Sequence, residues 1–182
     1  MITFDVARSE EDLHQILQLQ KLNLKTEISD QTKKDQGFLT VNHKFEELKL
    51  MYNSTAQIVA RHDGKIVAFA LAMLPELGKL ISDLKPMFDI LSGLSWKSSS
   101  LEKYRYYVMG QICVDIDFRG QGVFDGLYQK HKEVYCPDYK LCVTEISTSN
   151  TRSQRAHERV GFETIHVHVD HVDEWNVVVW EF

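Results

Sequence analysis

The segment at residues 111–128 constrains the fold of this chain more than any other part of the sequence. It opens as an apolar stretch typical of a buried strand, turns through Arg119-Gly120-Gln121-Gly122, and continues as a helix. Glycine permits a positive φ and lets another group come close to the main chain. The first N–H groups of a helix have no intrahelical partner and lie at the positive end of its dipole. This strand, turn and helix therefore predict a backbone site for a phosphate or pyrophosphate group.

Composition and charge narrow the class of protein. A chain of 182 residues suits one domain with a substantial core. The formal net charge of −5 argues against a general nucleic-acid binder, so the aromatic stretch at 104–107 is interpreted as strand packing. No apolar run reaches the ~18 residues of a membrane span, and the start of the chain does not resemble a signal peptide. Three cysteines without C-x-x-C spacing predict a reduced, cytoplasmic protein, and we expect it to be a monomer or a homodimer.

Hydrophobic periodicity and turn signals predict an α/β protein with one domain over residues 1–182. Strands are expected at 2–7, 57–61, 65–73, 104–114, 141–147, about 162–171 and 175–181. Helices are expected at about 10–22, 44–52, 121–135 and 150–160, with a helical insert at about 76–94. The insert could be core cover, a wall of a binding site or a dimer contact. Residues 23–42 look polar and irregular, and Trp96 to Ser100 looks like an exposed loop.

The order of these elements predicts a mixed, mostly antiparallel sheet of about seven strands flanked by helices. Parallel pairs are expected only from the two β-α-β units that contain the helices at 121–135 and 150–160. The strand at 65–73 is apolar on both faces and should lie inside the sheet.

Two motifs resemble the GNAT superfamily of acyl-CoA-dependent N-acetyltransferases. The first, a strand followed by Arg/Gln-x-x-Gly-x-Gly/Ala at the start of a helix, is matched by residues 119–124, although Phe124 stands where the family usually has Gly or Ala. The second is matched by Asn150, Ser153, His157 and the pair at 161–162, with histidine where many members have tyrosine. A lone glycine-rich turn is weak evidence, but both motifs lie at the right β-α-β spacing and the element order agrees along most of the chain.

The resemblance implies that acetyl-CoA is the cosubstrate. It implies that backbone amides of the glycine turn hold the pyrophosphate, and that main-chain groups at the end of the preceding strand hold the pantetheine and thioester. The expected cofactor-binding residues are Ile112, Cys113, Val114, Arg119, Gly120, Gln121, Gly122, Val123, Phe124, Asn150 and Ser153.

The implied reaction is direct transfer of an acetyl group to a primary amine, on a small molecule or a protein. His157 is the candidate acid for the departing thiolate, since histidine has a reference pKa near ~6.5, or else a helix residue without a proton role. Glu145, a carboxylate among apolar strand residues, is the candidate base, because burial would raise its pKa. Cys113 is disfavoured as an acyl-enzyme nucleophile, since no adjacent base would activate it.

Two alternatives stay open. A GNAT-like module could bind CoA without efficient catalysis. His166, His168 and Asp170 alternate along one strand and share a face, which could suggest a metal, but a polar face or a wall of the acceptor pocket is the preferred interpretation. We therefore expect no metal.

Overall fold

A computed structural model describes residues 1–81 and 84–182, without the side chains of Lys34 and Lys79. The strands are β1 (Ile2–Val6), β2 (Ile58–His62), β3 (Lys65–Met73), β4 (Ser95–Trp96), β5 (Ser99–Ser100), β6 (Tyr106–Val114), β7 (Leu141–Ser147), β8 (Glu163–Val169) and β9 (Glu174–Glu181). The helices are α1 (Glu10–Lys21), α2 (Asp30–Gln36), α3 (Phe45–Ser54), α4 (Lys85–Ser92), α5 (Val123–Tyr135) and α6 (Thr151–Val160). None of the helices in these described ranges is long and apolar enough to cross a membrane.

Seven strands form one sheet in the order β1-β2-β3-β6-β7-β9-β8. All neighbours are antiparallel except β6 and β7, which confirms the predicted mixed, mostly antiparallel sheet flanked by helices. As predicted, β3 is an inner strand. The expected second parallel pair is wrong, because β9 lies between β7 and β8. The side chains at 177–179 are buried on both faces of β9, so this strand takes an inner position and the more polar β8 takes the edge.

Two apolar layers cover the sheet. The layer that contains α1 and α3 includes Leu13, Leu48 and Phe69, and the layer that contains α5 includes Leu127 and Tyr128. Ser9 caps α1 by accepting a hydrogen bond from the Asp12 backbone N–H at 3.3 Å, as its position before three acidic residues predicts. Asp12 also accepts two hydrogen bonds from Arg61, at 2.8 and 2.7 Å, which join α1 to β2.

Three segments differ from the sequence-based expectation. Residues 23–42, which we call the strap, contain α2. A β-bridge between Leu24 and Leu39 joins the two ends of the strap, because backbone groups next to a cavity need hydrogen-bond partners. The insert is a 3-10 turn at Pro75–Lys79 followed by α4, and residues 82 and 83 of the expected helical range lie outside the described part. Trp96 to Ser100 is a small hairpin, not an exposed loop, since the Trp96 side chain packs into the core.

A buried histidine leads to a prediction about stability. His131 of α5 is fully buried, its Nδ1 lies 3.0 Å from the Tyr107 hydroxyl, and burial lowers its pKa to about 3. The unfolded chain therefore binds a proton that the folded chain excludes, and stability falls as the pH drops below the unfolded pKa of ~6.5. Between about pH 7 and about pH 5 we expect His131 to cost on the order of 2 kcal/mol.

Urea unfolding at the two pH values measures this loss. Buried His157 adds to the pH dependence with the same sign, whereas Glu145, whose pKa is raised by burial, acts with the opposite sign. The variant His131→Leu isolates the contribution, because it should flatten the pH dependence whatever its effect on stability at neutral pH. An equal slope in the variant and the wild type would show that His131 is not the source.

Candidate functional site

The central strands β6 and β7 separate along their length. Their parallel pairing covers only Tyr106–Val108 against Leu141–Val143, so the remainder of each strand diverges from the other. On its other side β6 carries a β-bulge, because Leu71 pairs with Gln111 and Ala72 pairs with Met109, which leaves Gly110 as the extra residue. The divergence opens the sheet between two helix N-termini and leaves main-chain groups of β6 available to a ligand.

A first cavity of 730 Å³ lies beside the end of β6. Its walls are the glycine turn, the first turns of α5 and α6, and the part of the strap at 35–39. Gly120 and Gly122 have φ values of +73° and +76°, and Gly122 is the N-cap of α5. The first hydrogen bond of α5 runs from Gly126 N to Gly122 O, so the preceding N–H groups lack intrahelical partners. These donors suit a phosphorylated ligand.

The structure gathers the expected cofactor-binding residues around this cavity, with one exception. The Gln121 side chain is exposed, and its Nε2 donates to the Asp117 carbonyl oxygen at 2.8 Å instead of lining the cavity. Residues of the expected set that do line it are Ile112, Cys113, Val114, Arg119, Gly120, Gly122, Val123, Phe124, Asn150 and Ser153.

Arg119 lines the first cavity but uses its guanidinium to hold the strap. It donates to Val114 O at 2.8 Å, to Asn23 Oδ1 at 2.6 Å and to Gln36 Oε1 at 3.3 Å. The sequence motif places Arg119 beside the phosphate donors, but two of its partners, Asn23 and Gln36, lie far away along the chain. The arginine therefore joins the glycine turn to the strap.

Three arginines that sequence reasoning missed also line the first cavity. Arg152, Arg155 and Arg159 recur at helical spacing on α6, which could have identified a basic face. Arg152 donates to Asp35 O at 2.8 Å, and Arg159 pairs with Asp125 at 2.8 Å. Together with Arg119 they give this cavity an excess of positive charge, although the chain as a whole has a net charge of −5.

A second cavity of 580 Å³ adjoins the first. The two share lining from Phe38, Leu39, Ile112, Asn150 and Ser153. Among the described residues that line the second cavity there is no lysine or arginine, whereas Glu145 and Asp170 supply carboxylates. Apolar walls come from Met73, Met87, Met109, Val172 and Trp175. The insert contributes Met87 of α4, so part of it is a wall of this cavity.

Glu145 faces the second cavity from β7. Its Oε1 lies 2.9 Å from His168 Nε2, across the sheet on β8, and both side chains are 12% exposed. Burial raises the pKa of Glu145, and the hydrogen bond with His168 acts in the opposite direction. The sequence did not predict the hydrogen bond between Glu145 and His168. The two residues come close only because β7 and β8 both pair with β9, on its two sides.

His157 lies on α6 beneath the second cavity and is 1% exposed. Its ring is surrounded by the rings of Phe124, Tyr128 and Phe162, and this burial lowers its pKa to about 4. Its Nδ1 lies 2.8 Å from the Ser153 carbonyl oxygen, which only accepts, so Nδ1 carries the proton and Nε2 presents a lone pair. The ordinary pKa assumed for this residue does not hold, and at neutral pH it can donate from Nε2 only after accepting a proton there.

Cys113 and the histidines of β8 were considered in the sequence as a possible nucleophile and possible metal ligands. Burial raises the pKa of the Cys113 thiol to about 12, so it is not a thiolate at neutral pH. The rings of His166 and His168 stack at 6.1 Å, which places them on one face as predicted. Within residues 1–81 and 84–182, no group of three or more histidine, cysteine, aspartate or glutamate side chains could hold a metal ion.

The strap covers both cavities. Asn150, the N-cap of α6, donates from Nδ2 to Phe38 O at 3.2 Å, and Gln111 donates from Nε2 to Val41 O at 2.8 Å. At Gly37 the φ is +74°, and an added Cβ would lie 2.9 Å from Asn150 Oδ1. Side chains from both cavities thus hold the strap by its backbone carbonyl groups.

Comparison with known proteins gives one family. The family described as "Acetyltransferase (GNAT) family" matches residues 22–162, which contain both cavities' central strands and both helix N-termini. No curated protein sequence matches the chain.

Many solved structures share the fold. A polyamine N-acetyltransferase from Drosophila melanogaster has a TM-score of 0.71 at 13% identity, with 100% of each chain covered. A putative acetyltransferase from Salmonella typhimurium, solved with acetyl-CoA, has a TM-score of 0.65 at 12% identity, with coverage of 100% of this chain and 94% of that one. The ribosomal-protein-S18-alanine N-acetyltransferase from Escherichia coli has a TM-score of 0.62 at 14% identity, with the same coverage. At these identities the likeness is one of fold.

Proposed function

Because the chain belongs to the acetyltransferase (GNAT) family, we propose that it transfers an acetyl group from acetyl-CoA directly to a primary amine. The observation that carries this proposal is the meeting of two cavities of opposite electrostatic character at Ile112, Asn150 and Ser153. One cavity has backbone donors and arginines, which suit an anionic cosubstrate. The other has carboxylates and apolar walls, which suit a cationic acceptor.

The first cavity fits coenzyme A. The N–H groups at the start of α5 are donors without helical partners, and the positive φ of Gly122 leaves them open to a pyrophosphate. The divergence of β6 from β7 beyond Val108 provides main-chain groups for an extended pantetheine chain. When bound there, acetyl-CoA would supply an activated acetyl thioester. The Salmonella protein of the same fold, solved with acetyl-CoA, supports this assignment.

The second cavity supplies the proton chemistry. Glu145 accepts a proton from the acceptor ammonium, which leaves a nitrogen lone pair free to attack. Burial raises the pKa of Glu145 and so makes the carboxylate a stronger base than an exposed glutamate. His168 holds the carboxylate in place through its 2.9 Å hydrogen bond. The high pKa of Cys113 favours direct transfer over an acyl-enzyme route.

A screen of amines with acetyl-CoA tests the proposal. Free-thiol release is followed with alkylamines, arylalkylamines, diamines and amino-terminal peptides, each at a matched concentration. We expect release that depends on the amine, with the N-acetylated product identified by mass spectrometry. Tight CoA binding without release across the whole panel would favour the alternative, a CoA-binding module.

A further inference from the structure

We infer that Gln111 accepts a hydrogen bond from the attacking nitrogen of the acceptor and thereby selects amines over alcohols. The inference rests on the proposed function, since it assigns a specificity residue to the same acceptor cavity. Gln111 lines the second cavity from β6, immediately before Ile112, which is one of the residues that line both cavities, and is itself 6% exposed. Its side chain is therefore a buried amide at the point where acyl donor and acceptor would meet.

The orientation of this amide follows from its neighbour in the strap. Gln111 lies with Nε2 2.8 Å from the Val41 carbonyl oxygen. A carbonyl oxygen only accepts, so the NH₂ group must face Val41 and Oε1 must point away from it. Oε1 is buried and has no hydrogen-bond partner among the described residues. A buried acceptor without a donor is unfavourable, and a donor from a bound ligand would relieve it.

The β-bulge at Gly110 gives Gln111 this position. In a regular strand, residues 109 and 111 would share a face. With Gly110 inserted, Met109 packs in the layer of α5, whereas Gln111 pairs with Leu71, whose side chain belongs to the layer of α1. A Cβ at position 110 would lie 2.5 Å from Met73 Cε, so a larger residue there would require the Met73 side chain to shift. The bulge thus turns the side-chain amide of Gln111 toward the strap, at the point where β6 and β7 separate.

The chemistry of transfer makes Oε1 selective. An ammonium gives one proton to Glu145, its nitrogen lone pair forms the new C–N bond, and the C–S bond breaks with its electron pair leaving on sulfur. One released proton is taken up by sulfur and the other passes to solvent. The nitrogen keeps an N–H throughout, which can donate to Gln111. An attacking alcohol gives up its only O–H proton and has none left, so Oε1 would face an oxygen lone pair.

Two bisubstrate analogues test the inference without knowledge of the natural acceptor. In one, coenzyme A carries S–CH₂–C(O)–NH–hexyl, and in the other S–CH₂–C(O)–O–hexyl. Calorimetry on the full chain should show the amide binding more tightly than the ester, on the order of 10- to 100-fold. In Gln111→Met, which keeps the length of the side chain but removes the acceptor oxygen, the preference should fall to about 3-fold or less.

A strap variant separates this role from a structural one. Lys25→Met removes the ion pair between Lys25 and Asp173, at 3.0 Å, and Lys25 lines neither cavity. It should loosen the strap yet keep the wild-type preference for the amide. Unaltered CoA affinity shows that a variant is folded, and Gln111→Leu replaces Gln111→Met if the latter loses CoA binding.

The outcomes distinguish the inference from the proposed function. Three results would each overturn the inference alone. The Gln111 variant could keep the preference for the amide, the wild type could bind both analogues equally, or the analogues could bind no more tightly than CoA. Failure of the wild type to bind CoA would overturn the proposed function and the inference together.

Discussion

Replacing Gly122 with glutamate is expected to lower the affinity for CoA by at least about 100-fold. The new carboxylate would lie at the N-cap of α5, among the backbone donors assigned to the pyrophosphate, and would repel its negative charge. It would also place a side chain at a φ of +76°, which costs on the order of 1 kcal/mol for a residue other than glycine. Isothermal titration of CoA measures the effect.

Gly64 provides a matched control for the backbone strain. It has a φ of +79° in the turn between β2 and β3, and an added Cβ there, as at Gly122, meets nothing within 4 Å. Gly64→Glu should therefore suffer a similar strain and keep wild-type affinity for CoA. If Gly122→Glu also keeps its affinity, or if both variants lose it equally, the glycine turn does not form the pyrophosphate site.

Replacing Glu145 with glutamine is expected to lower kcat by about 10²- to 10⁴-fold without changing the affinity for CoA. The amide keeps the size of the side chain in the second cavity but cannot take a proton. In the proposed mechanism Glu145 can take a proton only when it is ionised, and burial raises its pKa, so wild-type kcat/KM should rise with pH through that raised pKa. The variant should lack this rise. Initial rates of thiol release across the pH range measure both effects.

Glu174→Gln is the control for this variant. Glu174 begins β9, is exposed, and lies outside the lining of the second cavity. Its replacement changes the net charge by the same amount and should leave kcat and the pH profile as in the wild type. A Glu145→Gln variant with the wild-type pH profile would remove Glu145 from the role of base.

Local signals predicted most of the fold. Alternating or continuous apolar runs identified the strands, and turn signals such as Asp63-Gly64 identified the hairpin of β2 and β3. Gly161 ends α6 with a φ of +115°, as a glycine directly after the predicted helix at 150–160 indicates. The position of β9 between β7 and β8 could not be read in the same way. Strand order depends on which residues are buried on both faces, and only the assembled sheet decides that.

The sequence predicted which residues line the cavities better than it predicted their pKa values and hydrogen-bond partners. The glycine turn was identified by type and spacing, since backbone conformation is a local property, whereas Asn150 was identified through its place in the second motif that resembles the GNAT superfamily. The low pKa of His157 was not, because its burial comes from aromatic rings on α5 and at position 162. The hydrogen bonds of Arg119 with the strap were missed for the same reason, since Asn23 in the strap lies far from Arg119 along the chain. Long-range packing sets these states.

The most direct test of the account measures CoA affinity and amine-dependent thiol release on the same three proteins. The wild type should bind CoA and release thiol when an amine is present. Glu145→Gln should bind CoA as tightly and release thiol at least about 100-fold more slowly, and Gly122→Glu should do neither. A wild type that binds CoA but releases no thiol with any amine would contradict the account, because the second cavity would then not be an amine site.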